Sequence, residues 1–167
     1  MVAQTIRKGF KPTDLGPIPE DWLVISLGDI INYTKGYGFK SADYKNSGIR
    51  ILRVSDTNSS AISDKNEIYL DEKYAKQFSN WVLHEDDIVI STVGSKPPMY
   101  DSIVGRAVII DKEHEGILLN QNAVLIQAKK KSKSKQHLLL NQFRTKRYID
   151  YIAVSYTHLT LPTILRV

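Results

Sequence analysis

Cysteine is absent from the 167 residues. That excludes a disulfide framework, a thiolate zinc site and a cysteine nucleophile, and it fits a reducing compartment. No apolar run approaches the ~20 residues needed to cross a bilayer. The opening MVAQTIRKGFKPTD has no apolar stretch of the kind a signal peptide carries. The expected location is therefore cytoplasmic, with no membrane partner. Histidine is scarce: His84, His114, His137 and His158 are the four, and none has another three or four residues away, so no helical zinc pattern exists. His114, in KEHEG, reads as a solvated loop residue. There is no G-x-S-x-G and no phosphate loop ending in Lys-Ser/Thr. The GYG at 36–38 lacks the third glycine and the following helix of a dinucleotide fingerprint.

What is present is an ordinary globular composition with a basic lean. Hydrophobic residues make up 42% and charged residues 25%, with a net charge of +5. The chain is long enough for one domain with a real core. The charge favours a polyanionic partner without establishing one. Residues 1–14 are basic and polar and read as a mobile arm. In LGPIPEDW, Pro17 and Pro19 deny a helix, and WLVISL (22–27) then reads as a strand. NYTKGYGFKSADY, with glycines two apart, reads as a loop. GIRILRVSD (48–56) has period-2 character: Ile49 and Ile51 pack, Val54 is a third candidate, and Arg50 and Arg53 interrupt.

LDEKYAKQFSNW (70–81) predicts a short helix with Asp71 and Glu72 at its start. DIVISTV (87–93), VGRAVIID (104–111) and NAVLIQA (122–128) read as strands, and the prolines of GSKPPMYDS mark a loop. KKKSKSK reads as a charged hinge. QHLLLNQFRTKRYIDYIA (136–153) predicts one helix, with Leu138, Leu139, Phe143, Arg147, Tyr148 and Ile152 near a 3.6 period. Strands in succession with few helices give an α+β fold: a twisted, mostly antiparallel sheet with short helices, ending in a C-terminal helix.

No constellation supports catalysis. Asp71 and Lys73, with Asp56 or Asp64 upstream, could mimic a magnesium-dependent nuclease core, but an acidic helix start explains them more simply. VSYTHLTLPT (154–163) breaks the helical period and resembles the translation of a transposon-end adapter used in sequencing libraries. The expectation is that residues 154–167 are a non-native tail outside the domain, that the domain spans 15–153, and that the native gene continues beyond it.

Five segments in order carry a family resemblance: LGPIPEDWLVISLGDI, with its G-x-I-P-x-x-W and L-G-D; GIRILRVSD, a strand ending in polar residues and Asp; LHEDDIVISTVGS; VGRAVII with LLNQNAVLI; and KQHLLLNQFRTKRYIDYIA. Together, from about Thr13 to Ala153, they resemble the target-recognition domain of type I restriction–modification specificity subunits. At Asp86 this chain departs from the glycine usual in the family. The resemblance implies a DNA-recognition subunit without catalytic residues of its own. It implies double-stranded DNA as partner, one half of a bipartite site being read. It further implies modification (methyltransferase) subunits using S-adenosylmethionine and a restriction (motor-nuclease) subunit using ATP and magnesium. The long spacer helix and second domain of such subunits are expected to lie beyond these 167 residues, and related recognition domains also occur in fused restriction–methylation enzymes. Under this resemblance, the Ile18-Pro19 turn and Trp22 would seat the first strand, Leu27 and Ile30 would continue the packing, and Gly28 and Asp29 would turn the chain.

Base edges are read by Arg or Lys on guanine, Asn or Gln on adenine, and Ser or Thr on either; phosphates are held by Lys, Arg and hydroxyls. Four segments offer such groups near strand ends: Lys35, Tyr37, Lys40 and Ser41; Arg53, Ser55, Thr57 and Asn58; Ser91, Thr92, Ser95 and Lys96; and Gln121 and Asn122, beside Asn120. Arg53 is the expected guanine reader, with a structural pair to Asp56 as the alternative. Lys40 and Lys96 are the expected phosphate contacts. Tyr37 and Phe39 are as well suited to pinning the loop as to touching a base.

Overall fold

The computed structural model describes residues 7–58, 61–94, 104–155 and 165–166. In chain order the elements are β1 (Phe10–Lys11), β2 (Ile18–Pro19), β3 (Val24–Ile25), α1 (Leu27–Ile30), β4 (Ile31–Lys35), β5 (Ile49–Leu52), β6 (Ile68–Leu70), β7 (Ile88–Ser91), β8 (Ala107–Ile109), β9 (Leu118–Leu119), β10 (Ala123–Ala128), α2 (Lys133–Phe143), α3 (Lys146–Ser155) and β11 (Leu165–Arg166). The fold is α+β. A four-stranded antiparallel sheet has the order β4-β10-β7-β8, and a three-stranded sheet has the order β6-β5-β9, in which β5 and β9 run parallel.

The apolar runs explain this layering. Side chains alternate across a strand, so a strand buried on both faces reads as continuously hydrophobic. In β7, Ile88 and Ile90 pack into one cluster with Ile126, Leu139, Leu140 and Phe143, under α2. Val89 points the other way and joins Leu52, Val108, Leu119 and Leu125 between the two sheets. The same alternation sends Leu52 and Leu119 inward, while Ile51 and Leu118 meet Phe39, Leu70 and Phe78 on the far side. Helix α2, sheet, sheet and an aromatic layer thus stack in that order, each pair sharing one apolar cluster.

Several expected elements come out differently. Residues 70–81 form two 3-10 turns, Glu72–Tyr74 and Ser79–Trp81, instead of a helix. Tyr74, Phe78 and Trp81 nonetheless all face the aromatic layer. Within the 32–44 loop, Asn32 to Lys35 belong to β4. As an edge strand it buries only Ile31, so it lacks the alternation by which strands are read. The strand at 22–27 shrinks to β3, and Trp22 is 46% exposed, so it does not seat the chain as expected; buried Ile18 does, with Leu27 and Ile30 half-buried against the core. Gly28 and Asp29 lie within the short α1. Leu165–Arg166, in the tail expected to lie outside the domain, forms a two-residue antiparallel ladder with Val24–Ile25.

The basic run 129–135 is a helix start more than a hinge. Ser132 caps α2, its Oγ accepting from the Lys135 amide. Lys131 reaches fully buried Asp87 at 2.7 Å and the Glu85 carbonyl at 2.9 Å. The helix expected over 136–153 divides in two at Arg144–Thr145, where the Thr145 hydroxyl accepts from the Tyr148 amide at 3.2 Å. Leu138 is exposed; Leu139, Leu140 and Phe143 carry the packing. His114 is not solvated. It is buried, with Nδ1 2.6 Å from Asp111 Oδ1 and Nε2 3.1 Å from Asp64 Oδ1.

Candidate nucleic-acid interface

The four polar segments converge on one edge because of strand direction. β4 and β7 both run antiparallel to β10, so their C-terminal ends meet its start: Lys35 opposes Val124, and Ser91 opposes Ala123. β5 and β9 are parallel, with Leu52 beside Leu119, and β9 leads through Asn120, Gln121 and Asn122 into β10. The ends of β4, β5 and β7 and the start of β10 therefore lie together.

Backbone contacts lock them. The Gly36 amide donates to the Ala123 carbonyl at 3.0 Å, and the Tyr37 amide to the Leu119 carbonyl at 2.9 Å. The Asn120 amide donates to Leu52 at 3.1 Å, and the Thr92 amide to Asn122 at 2.9 Å. Gly36 has to be glycine: a Cβ there would sit 1.9 Å from the Asn120 carbonyl oxygen. Gly38 lies against the Gln121 amide, whose oxygen would be 2.5 Å from an added Cβ.

Lys35, Ser55, Asn58, Thr92, Gln121 and Asn122 are exposed along this edge, and Lys40 and Ser41 are exposed on the loop that follows Phe39. Others are committed to the fold. Thr57 is buried and donates its hydroxyl to the Val54 carbonyl at 2.8 Å; Ser91 is buried in β7. Neither presents a reading group at the surface. Tyr37 is half-exposed and packs on Phe39, Phe78 and Trp81 at ring separations of 4.7 to 5.1 Å, while Phe39 is buried; both pin the loop. Trp81 Nε1 adds a bond to the Lys35 carbonyl at 2.9 Å. Ser95 and Lys96 lie outside the described residues.

Arg53 takes its structural alternative. Its Nε and Nη2 fork onto Asp56 at 3.1 and 2.9 Å, its amide also donates to Asp56, and Nη2 reaches the Asn66 carbonyl. Arg50, half of the same strand pattern, is buried in ion pairs with Asp64 at 2.6 Å and Glu67 at 3.0 Å. Asp64 also receives His114, and hydrogen bonds from His114 and Arg50 hold its carboxyl below the ordinary value. Burial opposes the His114 imidazolium, but hydrogen bonds to Asp64 and Asp111 outweigh it and raise its pKa. This cluster ties residues 63–67 to β5.

One half-buried cation at the edge has no counterpart in the sequence reading. Arg106, just before β8, donates Nη1 to the Thr57 carbonyl at 3.3 Å. VGRAVIID reads as one strand, which hides that its arginine stands just before the start of β8.

The carboxylates of the nuclease alternative are dispersed. Asp56 is held by Arg53 and Asp64 by Arg50 and His114, while Asp71 pairs with exposed Lys73 at 3.1 Å. Among the described residues no three His, Cys, Asp or Glu side chains group as metal ligands would, and no helix is long and apolar enough to cross a membrane.

The family model for the type I restriction modification DNA specificity domain matches residues 19–167. A putative type I restriction enzyme MjaX specificity subunit from Methanocaldococcus jannaschii is 28% identical over 150 residues, covering 88% of this chain and 34% of the relative. The EcoAI specificity subunit of Escherichia coli is 36% identical over 81 residues, 48% of this chain and 13% of the relative. The chain thus spans about a third or less of these relatives. Among solved structures, the HsdS subunit from Thermoanaerobacter tengcongensis aligns over 93% of this chain and 35% of its own, with TM-score 0.53 and 14% identity. A chain from a structure of type I R-M complex assembly and conformational transition aligns over 83% of this chain and 30% of its own, with TM-score 0.56 and 15% identity. These two likenesses show the fold.

Proposed function

The chain belongs to the type I restriction–modification DNA specificity domain family, and on that premise we propose that its polar edge reads one half of a bipartite duplex target. The observation that carries the reading is the convergence of strand ends. Lys35, Asn58, Thr92, Gln121 and Asn122 come from four separate segments, yet all are exposed on one edge of a rigid two-sheet core, with Lys40 and Ser41 exposed on the loop that leaves it. Amides of Asn and Gln suit adenine, hydroxyls suit either base, and lysines suit phosphate. Side chains on backbone locked by Gly36 and Asn120 are preorganised, as recognition demands.

In this reading the chain supplies no chemistry. Methylation with S-adenosylmethionine, and ATP- and magnesium-dependent translocation and cleavage, fall to partner modification and restriction subunits in the cytoplasm. The named relatives, which are specificity subunits of type I restriction enzymes, support it. The test is fluorescence anisotropy of the 167-residue chain on a mixed-sequence duplex across a salt series. A single recognition domain makes few phosphate contacts, so binding of ~10⁻⁴ to 10⁻⁶ M that weakens steeply with salt is expected. Lys40→Ala should reduce the salt slope by about one. Affinity that is absent, or indifferent to salt, refutes the reading.

A further inference from the structure

We infer that Arg106, rather than Arg53, supplies the guanidinium with which this edge engages DNA; the inference deepens the proposed function and rests on it. Three observations carry it. The first is position. The Ser91 amide donates to the Arg106 carbonyl at 3.0 Å, and the Gly105 amide to the Ser91 carbonyl at 2.8 Å. Arg106 therefore stands across from the end of β7, on the edge that holds Thr92 and Asn122.

The second is restraint. Nη1 donates to the Thr57 carbonyl at 3.3 Å, a contact between residues 49 apart in sequence. The side chain is half-buried, so it bridges from the four-stranded sheet to the segment after β5. A guanidinium held at one nitrogen keeps its rotamer and retains further N–H groups to donate. That is the geometry a planar fork needs for two acceptors on one ligand.

The third is charge. Arg50 is neutralised by Asp64 and Glu67, and Arg53 by Asp56. Among the described residues Arg106 is within ion-pair distance of no carboxylate; its recorded partner is a neutral carbonyl. An anchored cation with no counter-charge among the described residues gains most from an external acceptor pair. On DNA that pair is either two phosphate oxygens or guanine O6 and N7.

The test compares wild type, R106A, R106K and R53A in anisotropy titrations at several salt concentrations. The probes are a mixed-sequence duplex and the duplex that wild type enriches from a random pool, with melting midpoints measured alongside. R106A is expected to melt with wild type and to bind about fivefold or more weakly, lowering the salt slope by about one where the acceptor is phosphate and leaving it near wild type where the acceptor is guanine. R53A is expected to melt lower with its salt slope intact. If R106K retains the slope on both duplexes, the acceptor is phosphate. If R106K loses affinity as R106A does on the enriched duplex alone, the acceptor is guanine. Either supports the assignment. Should R106A melt lower, R106K with its midpoint intact carries the comparison. R106A binding both duplexes like wild type overturns the inference while leaving the proposed function standing. So does weakening that tracks the midpoint with the slope unchanged. Absence of salt-dependent binding by wild type instead removes the proposed function, and this inference with it.

Discussion

Replacing Asp86 should separate two residues that differ by a single methyl group. Asp86 has φ of 65°, and is the non-glycine residue with positive φ among those described. It occupies the third position of a turn closed by the Asp87 amide on the His84 carbonyl at 3.0 Å, where a type II turn takes glycine. The conformation is fixed from both sides. The Asp86 amide donates to the Ile110 carbonyl at 2.8 Å, and its carbonyl accepts from buried Gln136 Nε2 at 2.8 Å. An L-residue held in this region costs roughly 1–2 kcal/mol, less for Asp because its short polar side chain tolerates it. Glycine removes that strain but brings about 0.4–1 kcal/mol of extra unfolded-state entropy. The carboxylate's contact with exposed His137, at 3.4 Å, adds at most a few tenths. Asp86→Gly should therefore be neutral to about 0.5 kcal/mol stabilising, and Asp86→Ala about 0.5–1 kcal/mol destabilising. Both variants lose the His137 contact equally, so the gap between them isolates the backbone. For a chain of this size, ~1 kcal/mol corresponds to about 2–4 °C in the calorimetric midpoint. An alanine variant melting at or above the glycine variant would refute the backbone argument.

The remaining expectations probe the edge and its bracing. Gly36→Ala must push the 35–37 backbone off Asn120, so chemical denaturation should show a loss of about 1–3 kcal/mol, with DNA affinity falling too; an unchanged midpoint and affinity would mean the close approach is not needed. Because His114 is raised above 6.5 in the folded state, its stabilisation is full below that pH and is lost as pH rises through the raised value. His114→Gln should flatten the decline in melting midpoint as pH rises above 6.5 relative to wild type; parallel profiles would count against the cluster. Arg53→Ala leaves Asp56 buried without its fork and should cost about 2 kcal/mol in urea unfolding, reduced from the value for a fully buried pair because Arg53 is 30% exposed. A loss of base preference with stability intact would return the readout role to Arg53.

The sequence alone determined which stretches would become core strands. DIVISTV, NAVLIQA and GIRIL are continuous or alternating apolar runs, and a run of that kind has to be buried whichever partner it finds. It also determined the absence of a cysteine framework, the basic balance and the family likeness, which depend on residue types and local spacing. The glycine at 36 and the departure at Asp86 were visible as letters, with their cause hidden. Tertiary structure decided everything that depends on who meets whom. His114 looked solvated because its partner Asp64 is 50 residues away. Arg50 looked like a polar interruption because Asp64, 14 residues on, folds back over it. Periodicity reports which side chains must leave water, but an ion pair or a shared edge is set by strand direction and by contacts far apart in the chain. Antiparallel pairing of β4 and β7 with β10, and parallel pairing of β5 with β9, gathered four polar segments that no local pattern links. The same pairing placed Arg106 on the edge, while the Asp56 carboxylate bound Arg53 into the fold.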